Sequence, residues 1–168
     1  SLSEPEALAH AEALAHVLIA ANFRGVYVKR RPRADLRRQP KEDLAPPDPV
    51  LGEPAPEDLT VVEHGMRLHV DLRDGLSTGL FTDQRDNRRR VRDLSSGARV
   101  LNLFAYTCSF TLAAALGGAR ETVSVDLSQR ALDRGRENLL LNGVSGSEHR
   151  LIRADAVSFV ARLSRRDP

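Results

Sequence analysis

The sequence predicts an α/β protein that carries part of an open parallel sheet, preceded by a small α+β region with a β-hairpin. Three observations carry this expectation. From residue 86 onward short apolar runs alternate with helical stretches, the pattern of parallel strands joined by right-handed crossovers. Two of those runs are followed by an acidic residue, Asp126 and Asp155. Before residue 76 the pattern differs: one Ala- and Leu-rich helix, a stretch crowded with Pro and charge, and an alternating pair of short runs. The expected division is therefore residues 1–75 for the N-terminal helix, linker and hairpin, and 76–168 for the parallel-sheet half.

Residues 4–21 place Leu8, Leu14, Val17 and Leu18 at helical spacing, which predicts an amphipathic helix. Ser3 can cap it, Pro5 suits its first turn, and Glu6 complements the positive end of its dipole. His10 and His16 in this helix lack the spacing of a metal pair and read as structural. Val26–Val28 is a short β-branched and aromatic run, hence a strand, and the Pro-rich residues 32–58 read as loop or linker. Leu59–Glu63 and Arg67–Asp71 alternate around His64-Gly65, a hairpin signal. Asp86 can cap a helix running to about Leu94. Val100–Phe104 is a strand, and residues 108–116 form a buried helix ended by Gly117-Gly118. Thr122–Val125 is a second strand. Ser128 caps a helix over 129–141 that stops at Asn142-Gly143. His149–Arg153 is a third strand and Ala156–Leu163 a last helix.

Composition narrows the function classes. No apolar run is long enough to span a bilayer, and SLSEPEALAH lacks the basic start of a secretory signal. The chain begins with Ser, which fits a chain processed, tagged or cut from something longer. A single Cys excludes an internal disulfide framework and fits a reducing cytoplasm. A net charge of +2 does not announce a nucleic-acid partner. Its distribution is more informative. One basic run holds Lys29, Arg30, Arg31, Arg33, Arg37, Arg38 and Lys41, and a second holds Arg85, Arg88, Arg89, Arg90 and Arg92. Each run reads either as a solvated face or as an RNA-contacting patch.

In an open parallel sheet, ligands bind beyond the carboxyl ends of the strands. Three features fall there. The turn 104–109, Phe-Ala-Tyr-Thr-Cys-Ser, leads into a helix whose first N–H groups can meet a carboxylate or phosphate. Asp126 ends the second strand, where an acid can accept from both ribose hydroxyls of an adenosyl ligand; the other reading is a cap for the next helix. Asp155 follows the third strand and can accept from an adenine amino group, or serve as a helix N-cap. The turn lacks the glycines that a pyrophosphate needs for close backbone approach, which disfavours NAD and FAD. S-adenosyl-L-methionine has no pyrophosphate and makes no such demand.

The segments TGLFTDQRDNRRRV, VLNLFAYTCSF, AAALGGA and SVDLSQRALDRGRENLLLNG, between Gly79 and Gly143 with the preceding Thr78, resemble the 23S ribosomal-RNA methyltransferases that make 5-methylcytosine and similar guanine methyltransferases. The resemblance implies a Rossmann-like class I methyltransferase sheet, S-adenosyl-L-methionine as cofactor and ribosomal RNA as substrate. It implies that Gln84 and Arg85 help close the cofactor site, and that Asn102, Phe104, Ala105, Tyr106, Thr107, Cys108 and Ser109 form the methionine-side loop. Asp126 with Leu127 would hold the ribose side, and Asp155 with Ala156 the adenine. Cys108 departs from the pattern, which has Gly there. The family's cytosine-attacking Cys lies further downstream, so Cys108 is expected to pack as a small apolar residue.

The family's next segment, an acidic or Asn residue before Pro-Pro, is expected beyond Pro168, and with it the catalytic residues. Without a fourth strand the first strand's edge would stand open. It is expected to be covered by a homodimer partner, by the N-terminal segment or by the rest of a larger protein. Besides an RNA methyltransferase in the cytoplasm, two readings stand: a non-catalytic cofactor- or RNA-binding module, and a nucleotide-dependent oxidoreductase. No metal site is expected.

Overall fold

A computed structural model describes residues 3–30, 44–73 and 75–164. Most of the first basic run, Arg31, Arg33, Arg37, Arg38 and Lys41, lies outside them. The chain forms two compact units, residues 1–59 with 71–78, and residues 60–70 with 79–168.

The first unit begins with α1, Glu4–Ala20. The Glu6 carboxylate accepts from both the backbone N–H and the hydroxyl of Ser3, each at 2.7 Å, which closes the first turn. The inward face differs from the expected one. Ala15 is buried and Leu8, Ala11, Leu18 and Ile19 are half-buried, whereas Leu14 and Val17 are exposed. In an Ala-rich helix the small residues permit close approach, so the largest side chains do not mark the packed face. β1 is shorter than the expected Val26–Val28 strand: it covers Gly25–Val26 and pairs antiparallel with β2, Leu51–Gly52. β2 falls in the stretch read as linker, because two residues are too few to show a period. A Cβ on Gly25 would sit 2.2 Å from the Glu53 carbonyl oxygen, so this pairing requires glycine. The Tyr27 hydroxyl accepts from the Ala55 N–H at 2.8 Å.

In the second unit, β3 (Thr60–Glu63) and β4 (Met66–His69) form the expected hairpin. Its two turn residues, His64 and Gly65, both have positive φ, 48° and 80°, the conformation that matches strand twist in a two-residue connection. Alternation turns Met66 and Leu68 inward, where they are buried against Leu112, Ala113 and Leu139. The hairpin therefore belongs to the core of the second unit, a different grouping from a cut at residue 75.

A 3-10 turn, Thr82–Gln84, runs directly into α2, Arg85–Leu94, so Asp86 lies in the first turn instead of capping the helix. β5 (Arg99–Leu103), β6 (Glu121–Asp126) and β7 (His149–Arg153) form a parallel sheet in the order β5-β6-β7. They are joined through α3 (Ser109–Leu116) and α4 (Gln129–Leu141), and α5 (Ala156–Leu163) follows β7. The sheet, and with it the expected α/β class, matches the sequence reading. A buried polar line underlies α3: Asn102 donates to the Thr111 hydroxyl at 2.8 Å, which lies 2.6 Å from that of Ser124.

One member of the second basic run, Arg88, departs from its reading as a face for solvent or RNA. It is 1% exposed. Its guanidinium donates to both Glu63 oxygens at 2.7 Å and to the Phe81 carbonyl at 2.9 Å. Arg88, Val91 and Ser95 share one helical face, and Glu63 supplies the charge that makes burial tolerable.

Candidate functional site

Register brings the three expected features to one end of the sheet. Leu103 pairs with Val125, and Asp126 with Arg153, so the strand tips lie together. The two carboxylates and the 104–109 turn extend from those tips.

The turn is built from alternating left-handed residues: Phe104, Tyr106 and Cys108 have φ of 55°, 49° and 58°. Such conformations are costly for residues other than glycine and persist where surrounding contacts enforce them. Those contacts are present. The Ala105 N–H donates to the Val125 carbonyl at 3.0 Å, and the Tyr106 N–H to an Asp126 carboxylate oxygen at 2.8 Å. The other Asp126 oxygen accepts from the Ser128 N–H at 2.9 Å. Ser128, not Asp126, caps α4 through the Ala131 N–H. Asp126 is thus a half-buried, fixed carboxylate that joins two loops. Each of its oxygens keeps a second lone pair for a ligand hydroxyl.

The remaining expected residues divide by exposure. Phe104 and Leu127 are 69% and 64% exposed, two large apolar side chains at the strand tips. Ala105, Thr107, Cys108 and Ala156 are buried and Asn102 is tied to Thr111, so these contribute backbone or packing. Ser109 is half-buried and opens α3. The N-cap of α3, Cys108, makes no side-chain capping bond. Among the described residues, the first N–H groups of α3 therefore have no side-chain acceptor at the N-cap. Asp155 is exposed and accepts from the Ser158 N–H at 2.8 Å, which is its N-cap role. Hydrogen bonds from Ser158, side chain first and then backbone, hold its carboxyl below the usual Asp range. Gln84 bonds to Asp83 and Asn87, and the Nε of Arg85 to His64.

Two residues without an assigned role in the sequence reading anchor the turn. The Gly79 N–H donates to the Tyr106 hydroxyl at 3.0 Å, and the Thr107 hydroxyl donates to the Gly79 carbonyl at 2.6 Å. Phe81 lies 5.5 Å from the Tyr106 ring, centroid to centroid. The TGLF motif was visible in the sequence, but its spacing to Tyr106 was not. Burial pushes the Cys108 thiol up to about 11, which keeps it protonated at neutral pH and suits a packing role.

These features fit an adenosyl ligand: exposed apolar side chains for a ring, a fixed carboxylate for ribose hydroxyls, and uncapped helical N–H groups for a carboxylate. A parallel sheet with that site at its carboxyl end defines a nucleoside-binding, Rossmann-like protein. Comparison with known proteins takes the assignment further. Residues 15–163 match the family described as S-adenosylmethionine-dependent methyltransferase, and the chain belongs to that family. It is 42% identical over 131 residues to ribosomal RNA large subunit methyltransferase I of Klebsiella pneumoniae (strain 342), covering 77% of this chain and 33% of that protein. It is 45% identical over 129 residues to the protein of the same name from Aeromonas salmonicida (strain A449), covering 76% and 33%. The chain thus spans about a third of the length of these relatives. Among solved structures, a methyltransferase complexed with SAH superposes with a TM-score of 0.77 at 33% identity, over 92% of this chain and 38% of that one. An S-adenosylmethionine-dependent methyltransferase from Streptococcus mutans gives 0.76 at 32%, with the same coverage.

Proposed function

We propose that this chain is the cofactor-holding part of an enzyme that methylates a base in RNA, with ribosomal RNA as the substrate. The observation that supports the reading most is the Asp126 carboxylate, fixed by Tyr106 and Ser128 at the strand tips beside two exposed apolar side chains. The relatives' names point the same way, since both are ribosomal RNA methyltransferases.

When bound, S-adenosyl-L-methionine supplies a methyl group already activated on a sulfonium. The task of this chain is then to bind and orient. Asp126 accepts from the ribose hydroxyls. Phe104 and Leu127 cover the adenine, and the second oxygen of Asp155 accepts from its amino group. The first N–H groups of α3 receive the methionine carboxylate. Gln84 and Arg85 stand outside this set, because their recorded bonds go elsewhere. The reading includes a cytoplasmic setting; among the described residues no helix is long and apolar enough to cross a membrane. It also includes self-association through the edge of β5 that pairs with no strand among the described residues.

Calorimetry with S-adenosylhomocysteine tests the proposal. Binding is expected for the chain, and Asp126→Ala is expected to weaken it by about 1–3 kcal/mol by leaving ribose hydroxyls unpaired. Equal affinity of the variant would remove Asp126 from the site. Tight NAD binding instead would replace the methyltransferase reading with a redox one.

A further inference from the structure

The burial of Arg88 divides the second basic run into two kinds of arginine. Arg88 faces a carboxylate, and its charge is neutralised there. Arg85 and Arg92, one turn to either side of it, are held by the ring and the carbonyl of His64 on the hairpin turn. Arg85 Nε donates to His64 Nε2 at 3.3 Å, and Arg92 Nη1 to the His64 carbonyl at 2.9 Å. Each engages one of its five N–H donors this way, and among the described residues neither forms an ion pair. Arg89 lies between them and is 60% exposed; its recorded partner, Asp86, is 3.7 Å away. The spacing 85, 89, 92 is i, i+4, i+7, so the three rise along one side of α2 over about 10 Å. Four arginines on α2 (Arg85, Arg89, Arg90 and Arg92) stand against two aspartates, Asp86 and Asp93.

We infer that this side of α2, pinned to the His64 turn, is a docking surface for the phosphodiester backbone of RNA, with Arg85, Arg89 and Arg92 as its cations. This rests on the RNA reading above and deepens it. Guanidinium forks match phosphate oxygens bidentately, and cations already held in place lose less freedom on binding than mobile lysines. The helix lacks the exposed apolar stripe that insertion into a lipid surface requires: around its whole circumference Arg85, Asp86, Asn87, Arg89, Arg90 and Asp93 are the exposed residues until Leu94 at its end. Phosphate contacts of this kind set register without reading sequence, a suitable role for a surface outside the cofactor pocket.

The test is fluorescence anisotropy of the 168-residue chain with a labelled RNA stem-loop bearing single-stranded ends, across a salt series, alongside calorimetry with S-adenosylhomocysteine. Arg89→Gln with Arg92→Gln is expected to weaken RNA binding roughly tenfold and to lower the log–log salt slope by about 1.4, two phosphate contacts at about 0.7 each. Arg134→Gln with Arg136→Gln removes the same charge from α4 and is expected to leave RNA affinity within about twofold. Both pairs retain S-adenosylhomocysteine affinity. Arg89→Glu alone repeats the test at an exposed side chain whose replacement leaves the fold intact. If the α2 variants bind RNA like the parent chain, the docking surface is wrong while the RNA reading stands. If the parent chain binds S-adenosylhomocysteine but no RNA, the RNA reading fails and takes this inference with it. Equal α2-dependent binding to phosphatidylserine vesicles would overturn the assignment to RNA.

Discussion

Cys108 occupies a position whose consequences are set by a single neighbour. A Cβ built on Gly135 of α4 would lie 2.6 Å from the Cys108 sulfur, 2.9 Å from its Cβ and 3.3 Å from the Thr107 carbonyl carbon. Gly135→Ala is therefore expected to destabilise the chain by about 1–3 kcal/mol, as overpacking of a closed site does. Adding Cys108→Gly should recover part of that loss, a coupling visible in a double-mutant cycle of urea midpoints. Independent behaviour of the two substitutions would mean that α4 moves away freely. The same burial makes the thiol a titration probe. Its folded value of about 11 lies above the 9.0 of an ordinary thiol. Between those values the unfolded chain has released its thiol proton and the folded chain has not, so rising pH favours unfolding. The stability tied to the neutral thiol is complete below pH about 9 and is lost as pH climbs to about 11, a total of roughly 2–3 kcal/mol. Unfolding free energies measured from pH 8 to 11 should fall less steeply for Cys108→Ala than for the parent. Parallel curves would contradict a buried, protonated Cys108.

At the level of elements, the unpaired side of β4 is closed by a helix rather than by another strand. Asn138 of α4 and Asn142, the C-cap one turn further on, act as its hydrogen-bonding partners. Asn138 Oδ1 accepts from the His69 N–H at 2.8 Å, and its Nδ2 donates to the Thr107 carbonyl at 3.0 Å. Asn142 accepts from the Arg67 N–H at 2.8 Å and donates to the Arg67 carbonyl at 2.6 Å. Asn138 is fully buried, so one amide joins the hairpin, α4 and the 104–109 turn. Asn138→Ala is expected to cost about 1–3 kcal/mol in thermal or urea unfolding by leaving buried groups unpaired, with weaker S-adenosylhomocysteine binding as the turn loosens. Unchanged affinity would mean that the Gly79 anchor holds the turn by itself. This amide clamp explains what was legible in the sequence and what was not. The strands and helices from β5 to α5 were readable because periodicity, caps and Gly stops record local preference. The NLLLNG motif was equally visible, yet it looked like a helix end. Its function is a contact across about 70 residues, which no local pattern encodes. Arg88 was misread for the same reason, since its partner Glu63 lies on another element. Among the candidate residues, the place of Asp126 at the strand tips was legible because a strand end is a local feature. The inward turn of Asn102, Thr107 and Ala156 depended on packing that only the fold supplies.

For the whole molecule, the two edges of the parallel sheet are unequal. Among the described residues β5 pairs only with β6, and β7 only with β6. β7 carries exposed Arg150 and Arg153, charges of the kind that discourage edge-to-edge pairing. After Arg99, β5 reads Val-Leu-Asn-Leu, and Leu101 is 45% exposed. Its outer N–H and C=O groups form a template for another strand, with an apolar side chain beside it to reward the pairing. The isolated chain is therefore expected to associate with a second copy through β5, and sedimentation velocity should show a weight-average mass that rises with concentration. Leu101→Lys adds a charge at a side chain already in contact with solvent, so the fold should survive while association weakens. Disruption by Leu101→Lys, with matched changes on β7 having no effect, would locate the contact. A single monomeric species for the parent chain across the concentration range would contradict it, and would leave the β5 edge as a surface that this chain tolerates without covering.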